Sequence, residues 1–271
     1  MVTPLASTWV GRELREIVRE QIDYRELLLR MTARDLLLRY KQTVMGIGWA
    51  VFMPLLNTAI FSVVFTRVAP MDVGAPYPVF AFCGLLVWNF FASALRFSVT
   101  SLTGNPSLVT KVYFPREIFP FSAVIVSLVD FVVASLVLVA LMLYYDIAVG
   151  WSLAWLPAVL VAHVTFTAAV ALLLAMANLF YRDVKYLFEV GISIWMFASS
   201  TLYPVDRVGG WLGAALQLNP MTQLVDAYRA VLLHAQAPAP MFFGTAAASL
   251  ALLVVSCLLF HSAEFAFAEN I

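Results

Sequence analysis

Charge is what this chain has least of. Lysine, arginine, aspartate and glutamate make up 12% of its 271 residues, against 63% hydrophobic residues. A soluble domain carries about a quarter charged and about half apolar residues, so a soluble fold is excluded. The mean hydropathy of +0.91 points to an all-α polytopic membrane protein. Net charge is zero, which gives no case for nucleic-acid binding. The two cysteines, Cys83 and Cys257, lie inside apolar runs and read as buried hydrophobes, not as a disulfide or a metal pair. No histidines have a metal-ligand spacing, so no metal site is expected. The phosphate-binding pattern G-x-x-x-x-G-K-[ST] is missing, as are G-x-S-x-G and H-E-x-x-H. Hydrolysis of ATP by a P-loop of its own is therefore excluded. No repeat or linker divides the chain, and its charged first forty residues show no cleavable signal peptide.

What is present is a set of long apolar runs. A helical span needs about 20 largely apolar residues. Six stretches qualify: 46–67, 78–99, 117–145, 152–180, 186–203 and 241–263. Residues 1–10 read as a loose tail. Two or three short amphipathic helices follow between Gly11 and Thr43, with helix-start spacing at Asp23 with Glu26 and at Thr32 with Asp35. Tyr24, Leu27, Leu28, Met31, Leu37, Tyr40 and Val44 form their apolar side, with arginine heads reaching toward phosphates. At Met45-Gly46-Ile47-Gly48-Trp49 a surface helix turns into a span, with an indole at headgroup level. The expected division is a tail and interface helix over 1–45 and a six-span domain over 46–271. Thirteen of sixteen basic residues fall on one side of the six spans, which puts both termini in the cytoplasm.

Two connecting segments stand out. Residues 101–120 open on the turn signal Gly104-Asn105-Pro106, then carry a short apolar and basic piece from Ser107 to Phe114. This segment is longer than an ordinary helix connection. It reads as a short helix across the mouth of the protein, with bulky residues for docking, or as a plain connector. Residues 204–240 hold two helical pieces, Trp211 to Leu218 and Met221 to His234, broken at Asn219-Pro220. Neither can span, so they form a re-entrant pair or a small outer cap. Polar groups at membrane depth are Asn57, Asn89, Asp130, His163, Asn178, Glu189 and His261. Asp130 is the sharpest, as an interhelix hydrogen-bond partner or a substrate ligand. Trp195 and Phe197 lie mid-span, where aromatic faces can stack on sugar rings.

Four stretches carry a family likeness: RDLLLRYKQTVMGIGWAVFMPLL, NPSLVTKVYFPREIFP, NLFYRDVKYLFEVGI and LNPMTQLVDAYR, in that order. Together they resemble the type-2 ABC exporter permeases of the polysaccharide and polyol phosphate export family, which move O-antigen, teichoic acid or capsule. The likeness runs from about Tyr24 to the last span. It implies a homodimer of six-span subunits in the bacterial cytoplasmic membrane, with two copies of a separate ATPase beneath. The nucleotide and its Mg would sit on that ATPase, with no cofactor in this chain. The substrate implied is a glycan on an undecaprenyl pyrophosphate-type carrier, O-antigen foremost. The family's coupling helix matches Asn105, Lys111, Val112, Tyr113, Phe114 and Arg116. Its outer gate helices match the segment of Trp211, Asn219, Pro220 and Tyr228. Arg34, Arg39 and Lys41 are the candidates for the carrier's pyrophosphate, with Arg34 and Lys41 sharing a helix face. Trp49, Asn57, Trp195, Phe197 and Tyr203 are the candidates for the glycan path. A permease for a small lipid or drug has the same topology, but its channel would be aliphatic. A membrane-embedded glycan or lipid transferase would need clustered acids or histidines at one membrane face. A secondary transporter half would need an internal repeat.

Overall fold

The computed structural model describes residues 4–41, 43–68, 70, 73–112 and 114–267. Tyr113 lies outside them. The described residues form helices and no strands. In order these are α1 (Pro4–Asp23), α2 (Arg25–Tyr40), α3 (Trp49–Val63), α4 (Tyr77–Val99), α5 (Pro106–Lys111), α6 (Ile118–Tyr144), α7 (Leu156–Phe180), α8 (Val184–Phe197), α9 (Gly210–Gln217), α10 (Pro220–Leu232) and α11 (Pro240–Ala263). The chain is helical from Pro4, so the expected loose tail over residues 4–10 is corrected. Two helices, not three, precede the elbow.

Among the described residues five helical segments are long and apolar enough to cross a membrane: Gly46–Arg67, Tyr77–Val99, Ile118–Tyr144, Trp151–Phe180 and Pro240–Ala266. The stretch expected as a fifth span, 186–203, is different. Its helix α8 has 14 residues, about 21 Å at 1.5 Å per residue, short of the ~30 Å hydrocarbon core. Beyond Phe197 the chain turns at Ala198–Thr201. The run is apolar throughout, but its end is captured by the protein instead of prolonging the helix.

Local chemistry explains most boundaries. Pro78, Pro157, Pro220 and Pro240 occupy first turns, where the missing N–H costs nothing. Pro54 lies inside α3, as neighbouring helices in a bilayer allow. At the elbow Gly46 has φ +54, a left-handed conformation that favours glycine, and the chain passes through a 3₁₀ turn into α3.

α4 is the central helix, packing on α3, α6, α7, α8 and α10. Its apolar residues with those of α6, α7 and α10 make the larger core. A second core lies at the other end. There Met31 of α2 meets Leu102, Val109, Phe114, Ile118 and Phe119 of the segment before and into α6, with Leu179 of α7 and Phe260 of α11. Tyr24, Leu27 and Leu28 pack against it, while Leu37, Leu38 and Val44 are exposed. The apolar side of the interface helix thus divides: one half faces protein, the other faces out.

Candidate functional site

The α2 end gathers several of the expected residues. Arg39 and Tyr40 both donate to the Asp130 carboxylate on α6. The Arg39 guanidinium also sits 3.7 Å over the Phe97 ring. A lone carboxylate at this depth is costly, and pairing with Arg39 compensates it. Burial and the hydrogen bond to Asp130 push the Tyr40 hydroxyl up to about 12, so it stays a donor. Arg34 donates through Nε and Nη2 to Asp35 at 2.9 and 2.7 Å, and through Nη2 to Asn105 Oδ1 at 3.3 Å. Asp35 in turn accepts from Ser122 Oγ at 2.9 Å. Lys41 is exposed beyond the helix. Of the three expected pyrophosphate ligands, Arg39 is committed to the protein, Arg34 is half engaged and Lys41 faces out.

Two cavities flank the Arg39–Asp130 pair. One of about 360 Å³ is lined by Arg39, Asn105, Asp35 and Thr100. The other, about 200 Å³, lies between α3, α4 and α6. It joins Trp49 and Asn57 to Asn89, Ser93, Arg96, Ser127 and Asp130. Two of the expected glycan-path residues therefore share a groove, in which these polar groups stand among apolar ones such as Met53, Leu86, Phe90 and Phe131. The other three do not join it. Trp195 donates to Asn219 Oδ1 at 3.0 Å and packs edge-on against Phe91. Phe197 is exposed, and its carbonyl accepts from the Tyr203 hydroxyl at 2.5 Å.

The segment after α4 forms the expected short helix, α5, but splits the coupling candidates. Lys111 and Val112 are exposed. Asn105 Nδ2 donates to Ser101 O at 2.9 Å. Phe114 is buried against Phe119. Arg116 pairs with Glu264 at 2.9 Å. Among the described residues of this segment the exposed ones are on α5 and at Val112, while Phe114 and Arg116 hold the segment to the body.

At the far end Asn219 caps α10. Its Oδ1 accepts from Met221 N at 3.1 Å and its Nδ2 donates to Ala198 O at 2.7 Å. Pro220 follows at the first helical position. Trp211 on α9 is 82% exposed, whereas Tyr228 on α10 is buried beside His163 and Phe131. Arg229 is fully enclosed. It donates to the carbonyls of Ser200, Thr201 (2.7 Å) and Phe80 (3.2 Å) and to Ser200 Oγ (2.9 Å), and lies 3.5 Å over the Phe80 ring. Gly84 makes room for this: a Cβ there would overlap the Thr201 carbonyl and the guanidinium. One arginine thus ties α10, the turn after α8 and α4 together.

A third cluster links chain segments far apart in sequence. Glu117, at the start of α6, meets His261 and Glu264 at the end of α11. Burial pushes the Glu117 carboxyl up to about 7.

A family profile described as ABC-2 type transporter matches residues 26–233, from α2 to α10. The chain belongs to the ABC-2 type transporter family. Along its length it is similar to proteins named O-antigen export system permease protein RfbA. To that of Myxococcus xanthus it is 31% identical over 258 residues, covering 94% of this chain and 99% of the relative. To two from Klebsiella pneumoniae it is 28% and 27% identical over 246 residues, covering 90% of this chain and 94% of each relative. It is a multi-pass membrane permease of the ABC-2 type.

Within this permease some functional residues escaped the sequence reading. Arg229 is one of the three basic residues left on the other side of the spans. Its signal was local: an arginine three residues after Asp226 in a largely apolar helix. His261 stood out as a polar group at membrane depth, but nothing in the spacing brings it together with Glu117.

Proposed function

We propose that this ABC-2 permease is the channel subunit of an ATP-driven exporter of lipid-linked O-antigen polysaccharide. The reading rests on one observation above all: its likeness to the O-antigen export permeases covers 99% of the length of the Myxococcus relative. It works as a homodimer on two copies of a separate ATPase, which carries ATP and Mg, in the bacterial inner membrane with both termini cytoplasmic. The exposed apolar faces of α3 (Phe52, Leu56, Ile60) and α8 (Leu187, Val190, Ile194) support a second copy beside them. With both termini on one side a sixth crossing is needed, and α8 supplies it: it is too short to span alone, and the turn Ala198–Thr201 that Arg229 holds carries the chain the rest of the way. α5 and Val112 dock the ATPase, α9 moves as the outer gate, and Arg34 and Lys41 receive the pyrophosphate while Arg39 positions their helix. The groove sets Asn57, Asn89, Ser93 and Ser127 among the aromatic rings of Trp49, Phe90 and Phe131, a mixture that offers sugar hydroxyls hydrogen-bond partners and sugar faces a stacking surface.

The test is complementation. In a strain lacking its O-antigen exporter, this chain and its cognate ATPase should restore surface O-antigen, and an ATPase unable to hydrolyse ATP should not. Correctly inserted subunits with all carrier-linked glycan still inside would overturn the reading.

A further inference from the structure

The cluster at the junction of α1, α6 and α11 has the makings of a ligand site. Glu117 is 1% exposed, and no hydrogen bond from another residue reaches either of its carboxylate oxygens. A buried carboxylate left this way is unusual and calls for an explanation, such as an ion. His261 Nδ1 also lacks a hydrogen bond and points between two acids. It lies 3.7 Å from Glu117 Oε1 and 3.8 Å from Glu264 Oε2. These separations are too long for hydrogen bonds. They are close to what two ligands of one ion require: ligand atoms at about 2.0–2.2 Å from a tetrahedral metal stand about 3.3–3.6 Å apart. All three ligand atoms lie within 4.8 Å of one another, so a contraction of about an ångström closes the shell.

The charges agree. Glu264 Oε1 is already engaged by Arg116, through Nη1 at 2.9 Å and the backbone N–H at 3.1 Å. That leaves Glu264 Oε2 facing His261. Arg116 compensates one carboxylate, and the second, Glu117, has no cation against it except the histidine when protonated. We propose that Glu117, His261 and Glu264 bind one divalent transition-metal ion of the zinc class. An imidazole nitrogen with two carboxylates suits zinc, manganese or iron(II) better than magnesium or calcium. Three protein ligands leave a position for water. The ion clamps the end of α11 to the start of α6, directly after the segment that carries α5. It thereby fixes the segment through which the permease meets its driving partner, whatever substrate is moved.

The experiment uses the full-length permease in detergent, tag removed and stripped with chelator. Zinc chloride is titrated in competition with a chromophoric chelator, for the wild type, Glu117→Gln and His261→Gln. The expected result is one tight equivalent in the wild type, weakened at least tenfold in each variant, with zinc raising the unfolding temperature of the wild type only. Equal binding in all three, or no tight equivalent in the wild type, overturns the proposal. Should the variants fail to fold, X-ray absorption of the zinc-loaded wild type decides. One nitrogen with oxygen neighbours supports the site; an all-oxygen or sulfur shell refutes it.

Discussion

The segments Gly46–Arg67 and Tyr77–Val99 are 22 and 23 residues long and equally apolar on average. Yet of the most apolar 18-residue stretch in each, 11% is buried in the first and 83% in the second. The difference lies in residue size. Ala81, Cys83, Gly84, Ala92 and Ala94 along α4 let other backbones approach, as small residues do between membrane helices. The Thr201 carbonyl comes close enough to Gly84 that no side chain fits there. α3 instead presents Phe52, Met53, Leu56, Ile60 and Val63 outward. Large apolar side chains on that outward face satisfy lipid or a broad flat partner, and only the narrow face of Pro54 and Thr58 is buried against the body. Apolarity therefore tells that a segment spans, and the small residues tell which span the others are built upon.

The largest effect should come from breaking the centre. Arg229→Met keeps the length but leaves three carbonyls and a hydroxyl in the interior without their donor. Breaking a buried, hydrogen-bonded charge typically costs about 3–5 kcal/mol. Thermal unfolding in detergent should therefore drop sharply, and Gly84→Val should do the same by overlap. Leu56→Ala and Ile60→Ala on α3 should change the stability of the single subunit by less than about 0.5 kcal/mol, with their cost seen only in self-association. Equal losses for the two groups would erase the distinction between centre and rim.

A middle-sized effect should separate the arginines of α2. Arg39→Gln leaves Asp130 without its cation and should cost about 2 kcal/mol or more, since both side chains are largely buried. Arg34→Gln with Lys41→Gln removes one half-exposed pair between sequence neighbours and one exposed charge, worth about 1 kcal/mol. Export should fall in both, but unfolding temperature only in the first. If the double substitution destabilises as much as Arg39→Gln, α2 is held by all three charges alike.

What the sequence could show followed local rules. The elbow at Gly46, the break at Asn219-Pro220 and the short helix after Asn105-Pro106 were legible because each depends on a turn or cap within a few residues. Asp130 stood out as a charge in an apolar run, but its partner Arg39 lies 91 residues away. Residues 186–203 were read as a span because hydropathy cannot register that Arg229 binds the carbonyls of Ser200 and Thr201. Trp195 was assigned to a path from its residue type, and Tyr228 to a gate from the family likeness of its segment. Type does not say which way a ring faces, and both turn toward protein. The pairing of Arg116 with Glu264 spans 148 residues, beyond any pattern of spacing.

The smallest effect should lie at the outermost rim and repeats the contrast between α3 and α4 in miniature. α9 and α10 are consecutive, joined at Asn219-Pro220. α10 enters the main core through Met221, Leu224, Val225 and Tyr228. α9 leans on the turn of Val205–Arg207 and on the start of α10, with Trp211 and Leu212 exposed. Trp211→Ala should then shift stability by less than about 0.5 kcal/mol. Asn219→Ala, eight residues on, removes the cap of α10 and the acceptor for Trp195, and should cost about 1–2 kcal/mol. Hydrogen exchange offers an independent check: α9 amides should exchange well before those of α10, because local opening is easiest where few apolar contacts must break. Should α9 prove as protected as α10, it belongs to the rigid centre, and a gating motion would have to carry both helices together, against the hold of Arg229.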